Sequence, residues 1–155
     1  EFLRIDFPRI PFPAEARLFR EMTALGGRLV DLHLLRSPEL DPPLVRFEGR
    51  GDGRVERAGK RDFHYDAAEG RVYINAGQYF APVPPEVWKY RIGGYQVPAK
   101  WLKDREGRTL GLEEVRTYCR IITALIRTIE IQHVIDEIYP EVENTALALL
   151  LEGNK

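Results

Sequence analysis

Between Ala14 and His33 the apolar residues Leu18, Met22, Leu25, Leu29 and Leu32 recur at intervals of three and four. That spacing places them on one face of an amphipathic helix and predicts a helical segment over 14–36, running through Gly26-Gly27. Ahead of it, prolines at every second or third position from Phe7 to Pro13 predict an extended arm over 1–13 in which Ile10 and Phe12 pack on something. Ser37-Pro38 and Asp41-Pro42-Pro43 end the helical period, and short β-type runs separated by glycine follow: Leu44–Glu48, Val55–Ala58, Arg61–Tyr65 and Arg71–Ile74. These predict a small antiparallel sheet over 44–74, with Gly49–Gly53 turning between the first two strands and Asp66–Gly70 joining the last two. Residues 75–108 read as a loop with two short helices, one near Glu86–Tyr90 and one from Pro98 to Gly107. A helical part over 112–152 closes the chain. Its long helix, Leu112–Glu137, carries Val115, Cys119, Ile122, Ile126 and Ile129 on one face, and a separate last helix runs from Glu141 to Glu152 after the break at Pro140. A helix, then strands, then helices without alternation make a single α+β domain of 1–155.

The composition fits one folded domain: 155 residues, 44% hydrophobic, with 23 Lys plus Arg against 24 Asp plus Glu. No apolar run approaches the roughly 20 residues needed to span a bilayer, and no basic-then-apolar leader opens the sequence. The expected setting is cytoplasmic, without a membrane partner. Cys119 is the one cysteine, and His33, His64 and His133 are too scattered for metal-ligand spacing. The start at Glu1, without methionine and with a proline-rich arm, suggests a piece of a longer polypeptide.

Charge is informative in its distribution. From Arg46 to Arg61 six basic residues face three acids, and from Lys89 to Arg108 six face two. Both stretches lie near aromatic and amide side chains: Tyr90, Tyr95, Gln96 and Trp101 in the second, with Asn75, Gln78, Tyr79 and Phe80 just upstream. Lys and Arg neutralise phosphates, amides pair with adenine and arginine with guanine, so the mixture suits a DNA duplex. The last 26 residues carry six acids against Lys155 alone, which excludes them as the nucleic-acid face.

Other motifs yield to plainer readings. Asp41-Pro42-Pro43-Leu44 is close to the Asp-Pro-Pro-Tyr signature of amino-methyltransferases, but Leu44 cannot stack on a flipped base. No glycine-rich strand-to-helix motif is present to hold S-adenosylmethionine. Gly49–Gly53 has neither the ending nor the following helix of a phosphate loop. Ser37, the one serine, precedes a proline in a loop, which argues against a catalytic triad. His64, flanked by Asp62 and Asp66, offers an acid–base group and hence a hydrolase reading, against that of a strand histidine on a polar face. His133 and Cys119 continue the apolar stripe as packing residues, and Trp88 and Trp101 are core anchors. Gly93-Gly94, before the helix that starts at Pro98, reads equally as a phosphate clamp at a helix N-terminus or as a tight turn.

Four stretches together carry a family resemblance: Tyr73-Ile74-Asn75-Ala76-Gly77-Gln78-Tyr79-Phe80, Val83-Pro84-Pro85-Glu86-Val87-Trp88, Ile92-Gly93-Gly94-Tyr95-Gln96-Val97, and Lys100 to Arg108. With the arm Pro8–Pro13 and the helix end Leu29–Leu34, they resemble the C-terminal specificity domain of type ISP restriction-modification enzymes and related adenine-N6 DNA methyltransferases. The resemblance covers nearly the whole chain. It implies a methyltransferase core N-terminal to this domain, often behind a nuclease and a helicase, with S-adenosylmethionine bound there and no cofactor in this chain. It further implies that Ile92–Arg108 is scaffold and phosphate contact, with base reading elsewhere. Two departures concern stability: Pro98 replaces a larger apolar residue, and Gly111 stands where a serine is frequent, which removes a capping partner of Glu114 and predicts a frayed start to the long helix.

The resulting expectation is a non-catalytic target-recognition domain. Its partners are duplex DNA and the methyltransferase domain of the parent polypeptide. Lys89, Arg91, Gly93, Gly94, Tyr95, Lys100, Lys103, Arg105 and Arg108 are the candidate backbone contacts; Arg50, Arg54, Asn75 and Gln78 are the candidate base contacts. The rival expectation is a helical interaction or self-association module, because Ile121, Ile131 and Val134 widen the apolar stripe of the long helix beyond one flank.

Overall fold

The computed structural model describes residues 11–57 and 63–145. They gather into two compact units, one drawn from residues up to Leu29 and from Glu130 onward, the other formed by Val30–Ile129. The element order is α1 (Ala16–His33), a single 3-10 turn (Pro38–Leu40), β1 (Arg46–Gly49), β2 (His64–Asp66), β3 (Arg71–Tyr73), β4 (Gln78–Ala81), α2 (Pro85–Trp88), β5 (Arg91–Ile92), β6 (Tyr95–Gln96), α3 (Val97–Lys103) and α4 (Leu112–Thr145). The fold is α+β, as the order of hydrophobic periods predicted.

In the first unit the stripe of α1 is buried at Leu18 and Leu25 and half-buried at Met22. Phe12 of the arm stacks on Phe19, ring centroids 5.4 Å apart; Phe7 to Ile10 lie outside the described residues. The expected break at Pro140 does not occur, and α4 continues through it to Thr145. Proline removes one intrahelical N–H, but the segment beyond it has tertiary anchors. Arg17 Nη2 donates to Glu141 Oε1 at 2.7 Å, and the Ala14 N–H donates to the Thr145 carbonyl at 3.2 Å. The expected helix end at Glu152 falls outside the described residues. His133, expected to pack, is exposed, because it lies beside rather than on the stripe that buries Ile131.

In the second unit α1 ends in a Schellman motif. The Arg36 N–H reaches the Asp31 carbonyl at 2.8 Å and the Leu35 N–H the Leu32 carbonyl at 3.0 Å, with Leu35 in the left-handed region at φ 53°. Ser37 then caps the 3-10 turn, its hydroxyl accepting from the Glu39 N–H at 3.2 Å. Asp41 of the Asp-Pro-Pro-Leu motif is held between Arg116 and Arg120, each 3.4 Å away. The Leu44 N–H donates to Thr123 Oγ1 at 2.9 Å, so the motif is a brace onto α4.

The four-stranded antiparallel sheet has the order β1-β4-β3-β2, which differs from the expected one. Val55–Arg57 is not a strand of this sheet, and Ala58 with Arg61 and Asp62 lies outside the described residues. Its place beside β1 is taken by β4, read from the sequence as loop. Gly49–Gly53 therefore leads out of the sheet and is not a hairpin turn, whereas the Asp66–Gly70 connection between β2 and β3 is found as expected.

Register separates the two faces. Phe47, Phe80, Val72 and Tyr65 are successive cross-strand partners on one face, and Glu48, Tyr79, Tyr73 and His64 on the other. The first row supplies much of the core. Phe80 lies 4.4 Å from the ring of Tyr118 on α4, Tyr118 lies 5.0 Å from Trp101 on α3, and Tyr65 stacks on Trp88 of α2 at 5.1 Å. Tyr118 is fully buried and donates to the Pro98 carbonyl at 3.3 Å. Cys119 beside it is core too, and burial pushes its thiol up to about 11. Of the residues that widen the stripe of α4, Ile121 packs against this core with Val115, Ile126 and Ile129, and Ile122 is fully buried, whereas Val134 is exposed. On the other face the His64 ring lies flat on Tyr73 at 4.8 Å and 7°, so it belongs to a row of stacked rings.

Candidate nucleic-acid interface

The two basic stretches, separated in sequence by the strands β2 to β4 and by α2, meet along a seam in the second unit. Residues 53–57 leave β1 and run antiparallel to 106–110, the segment between α3 and α4. The Gly107 N–H donates to the Val55 carbonyl at 2.7 Å, the Val55 N–H to the Arg108 carbonyl at 2.9 Å and the Leu110 N–H to the Gly53 carbonyl at 2.9 Å. Arg54 pairs with Thr109 in an isolated bridge, and Arg57 Nε meets Glu106 at 3.2 Å. Val55 is fully buried between exposed Arg54 and Arg57. The β-type run expected over Val55–Ala58 adds no strand to the sheet, and its described part is bonded to this distant loop.

Asn75 and Gln78 hold the other side of the seam. They are 7% and 6% exposed. Asn75 Oδ1 accepts from the N–H groups of Gly77 and Gln78 at 3.0 and 2.8 Å, which makes an Asx turn joining β3 to β4. Its Nδ2 donates to the Arg54 carbonyl and to Gln78 Oε1, both at 3.0 Å. Gln78 Oε1 also accepts from the Gly53 N–H at 2.7 Å. Neither amide is displayed on the surface as a base reader would be, because each is engaged with the loop that carries Arg50 and Arg54. Those two arginines are exposed. The sequence contained the signal: asparagine with glycine two residues on, between Val72-Tyr73-Ile74 and Tyr79-Phe80, is hairpin chemistry.

The second stretch is divided by its partners. Lys89, Arg91, Lys100, Lys103 and Arg108 are exposed, and Lys100 pairs with Asp104 one helical turn on. Arg105 is mostly covered. Its guanidinium lies 3.5 Å from the Trp101 ring centroid, Nη1 donates to the Trp101 carbonyl at 3.0 Å and Nε meets Glu114 at 3.1 Å. It braces α3 to α4 and leaves little to offer a phosphate. Gly93 and Gly94 form the two-residue turn between β5 and β6, with Gly93 at φ 57°. They do not open a helix, since β6 intervenes before α3, so the expected clamp at a helix N-terminus is replaced by a hairpin tip. Arg91 Nη1 donates across it to the Gly94 carbonyl at 3.0 Å.

Glu114 secures the start of α4 despite the missing serine. Its Oε2 accepts from the Gly111 N–H at 3.2 Å, while Oε1 meets Arg105 and Arg108, each at 3.1 Å, so one half of a capping box survives. The Gly111 N–H and the two guanidiniums hold its carboxyl below the usual range. A depressed carboxyl stabilises the fold above its unfolded value, near 4.3, and loses that contribution as pH falls through the folded value. Glu114→Gln is therefore expected to lower the urea midpoint at pH 7, with the gap to the parent closing at the acid end of a pH series. A constant gap at all pH values would show that charge plays no part.

Among the described residues no group of His, Cys, Asp and Glu fits a metal ion, and no helix is long and apolar enough to cross a membrane. The four-stranded sheet pairs antiparallel throughout, and among the described residues no glycine-rich turn links a strand to a helix. Comparison with curated proteins and with solved structures returned no match. A family model, the type ISP C-terminal specificity domain, matches residues 1–133. It spans both basic stretches and the seam where they meet, and the chain belongs to that family of specificity domains.

Proposed function

We propose that the chain binds duplex DNA as the target-recognition part of a cytoplasmic restriction-modification enzyme that methylates adenine at N6. The methyltransferase core and its S-adenosylmethionine lie elsewhere in the parent polypeptide, and this part performs no chemistry itself. The observation that carries the reading is the seam. It ties the loop that carries Arg50 and Arg54 to the segment that carries Arg108 through backbone and amide hydrogen bonds. Rigid presentation of exposed guanidiniums is what bidentate base contact requires. Lys89, Arg91, Lys100, Lys103 and Arg108, with the hairpin backbone at Gly93-Gly94, are assigned to phosphates. Arg50 and Arg54 are assigned to base edges. Asn75, Gln78 and Arg105 act at one remove, by positioning these groups.

Fluorescence anisotropy with labelled duplexes across roughly 50 to 200 mM salt tests the assignment, because each phosphate contact adds about one to the slope of log K against log salt. Lys103→Ala is expected to weaken binding to every sequence alike and to reduce that slope by about one. Arg54→Ala is expected to lose discrimination at a single base pair and to leave the others unchanged. Absence of duplex binding at 50 mM salt, in the chain and in the full parent alike, would reject the reading.

A further inference from the structure

The hairpin β5–β6 ends in an apolar pair that no packing explains. Ile92 and Tyr95 are direct cross-strand partners flanking the Gly93-Gly94 turn. They therefore project from the same face of the ribbon, opposite Arg91 and Gln96. They are 54% and 66% exposed, and Tyr95 is the most exposed aromatic side chain among the described residues. The root of the hairpin is fixed: Gln96 Nε2 donates to the Trp88 carbonyl at 2.6 Å and the Val97 N–H to the Tyr90 carbonyl at 3.1 Å. Trp88 is stacked on Tyr65 in the core. Only the tip is free, and a Cβ added at Gly93 or Gly94 would meet nothing within 4 Å, so the tip is slender and unobstructed.

Charge decides what this tip meets. Lys89 and Arg91 precede it, and Lys100 Nζ lies 5.9 Å from the Tyr95 ring centroid, with Lys103 one turn further along α3. An apolar pair with exposed cations near it, Lys100 among them although it pairs with Asp104, is complementary to a polyanion with apolar faces inside it, which describes a duplex. Phosphates take the cations and can accept from the Tyr95 hydroxyl, but Ile92 and the Tyr95 ring gain nothing from phosphate. Their favourable surface in DNA is the face of a base, reached by opening a base step.

Resting on the DNA-binding reading above, we propose that the β5–β6 hairpin is a wedge, with Ile92 and Tyr95 entering a base step and kinking the duplex while Lys89, Arg91 and Lys100 hold the flanking phosphates. The pair contributes stacking and deformation, and the surrounding cations contribute the salt-dependent part of binding.

The test uses the full chain and a duplex selected by it from a random-sequence pool, carrying a donor and an acceptor dye at its ends. Parent chain and the I92A/Y95A double variant are compared for affinity, salt slope and end-to-end energy transfer. Both side chains project into solvent, so thermal unfolding of the double variant should match the parent. The expected result is a kink of roughly 20–90° with the parent, and with the variant a straight duplex, roughly tenfold weaker binding and an unchanged salt slope. A parent complex that binds without bending, even with a preference for thymine at one position, overturns the wedge and leaves the DNA reading standing. So does a bend that survives in the variant. Failure of the parent to select or hold any duplex at 50 mM salt overturns both.

Discussion

Asn75→Ala is expected to destabilise the protein by roughly 2–4 kcal/mol and to relax sequence preference at the base pairs assigned to Arg50 and Arg54. The asparagine is almost fully buried and makes four hydrogen bonds, two accepted from the N–H groups of Gly77 and Gln78 and two donated, to the Arg54 carbonyl and Gln78 Oε1. Alanine leaves three backbone groups and one side-chain oxygen to find other partners in a site 7% exposed, and unmet buried polar groups cost about 1–3 kcal/mol each before relaxation. The effect on DNA follows from connectivity. The Arg54 carbonyl and the Gly53 N–H, the latter through Gln78, are fixed by this amide pair, so their release loosens the loop that presents Arg50 and Arg54. Urea denaturation measures the first part and anisotropy on several duplexes the second. An unchanged urea midpoint with loss of preference at one base pair would return Asn75 to the base-reading role expected from the sequence. Asn75→Asp separates the two halves of the contact, because it keeps the Oδ1 that accepts both hydrogen bonds of the Asx turn and sets a carboxylate oxygen against two other oxygens.

The same residues show which parts of the fold could be read in advance. α1 was legible because Leu18, Leu25 and Leu32, the three most buried positions of its stripe, are seven apart, a repeat that needs no knowledge of what covers it. The Asp66–Gly70 turn was legible for the same local reason, with Asp66 Oδ1 accepting from the Ala68 and Glu69 N–H groups. β4 was not. Four residues between Gly77 and Pro82 carry too little alternation to be told from loop, and what makes them a strand is pairing on both sides, with β1 and β3. The run Val55–Ala58 failed in the opposite sense: its described residues are β-type in composition, but they bond to the segment around Arg108, some fifty residues away, and not within the sheet. Tyr118 went unremarked as core because its importance depends on meeting Phe80 and Trp101. For the candidate site, composition found the basic stretches but could not divide them. Arg105, shielded on Trp101 and Glu114, and Lys103, exposed to solvent, look alike in sequence.

Gly49→Ala should be at least as damaging, on the order of 3 kcal/mol or more. Gly49 adopts φ 102°, outside the range open to side-chain-bearing residues. A Cβ there would lie 2.0 Å from the Gly77 carbonyl oxygen and 3.0 Å from the Gln78 Cα. Both obstacles are backbone, so no rotamer change relieves them. Gly49 faces Gln78 in the last pair of the β1–β4 register, and the Arg50 N–H donates to that same Gly77 carbonyl at 3.2 Å. To admit a methyl group the strands must part where the chain leaves the sheet for the seam. Gly94→Ala is the matched control, since its added Cβ meets nothing and its φ lies outside the positive range of the affected glycines; its urea midpoint should stay within about 0.5 kcal/mol of the parent. If Gly49→Ala proved as mild as the control, the close approach of β1 to the Asn75–Gln78 turn would be wrong, and with it the path that carries Arg50 and Arg54 to the surface. If it unfolds as expected while a low-temperature folded fraction still binds duplex with the parent's sequence preference, the glycine acts through the fold alone.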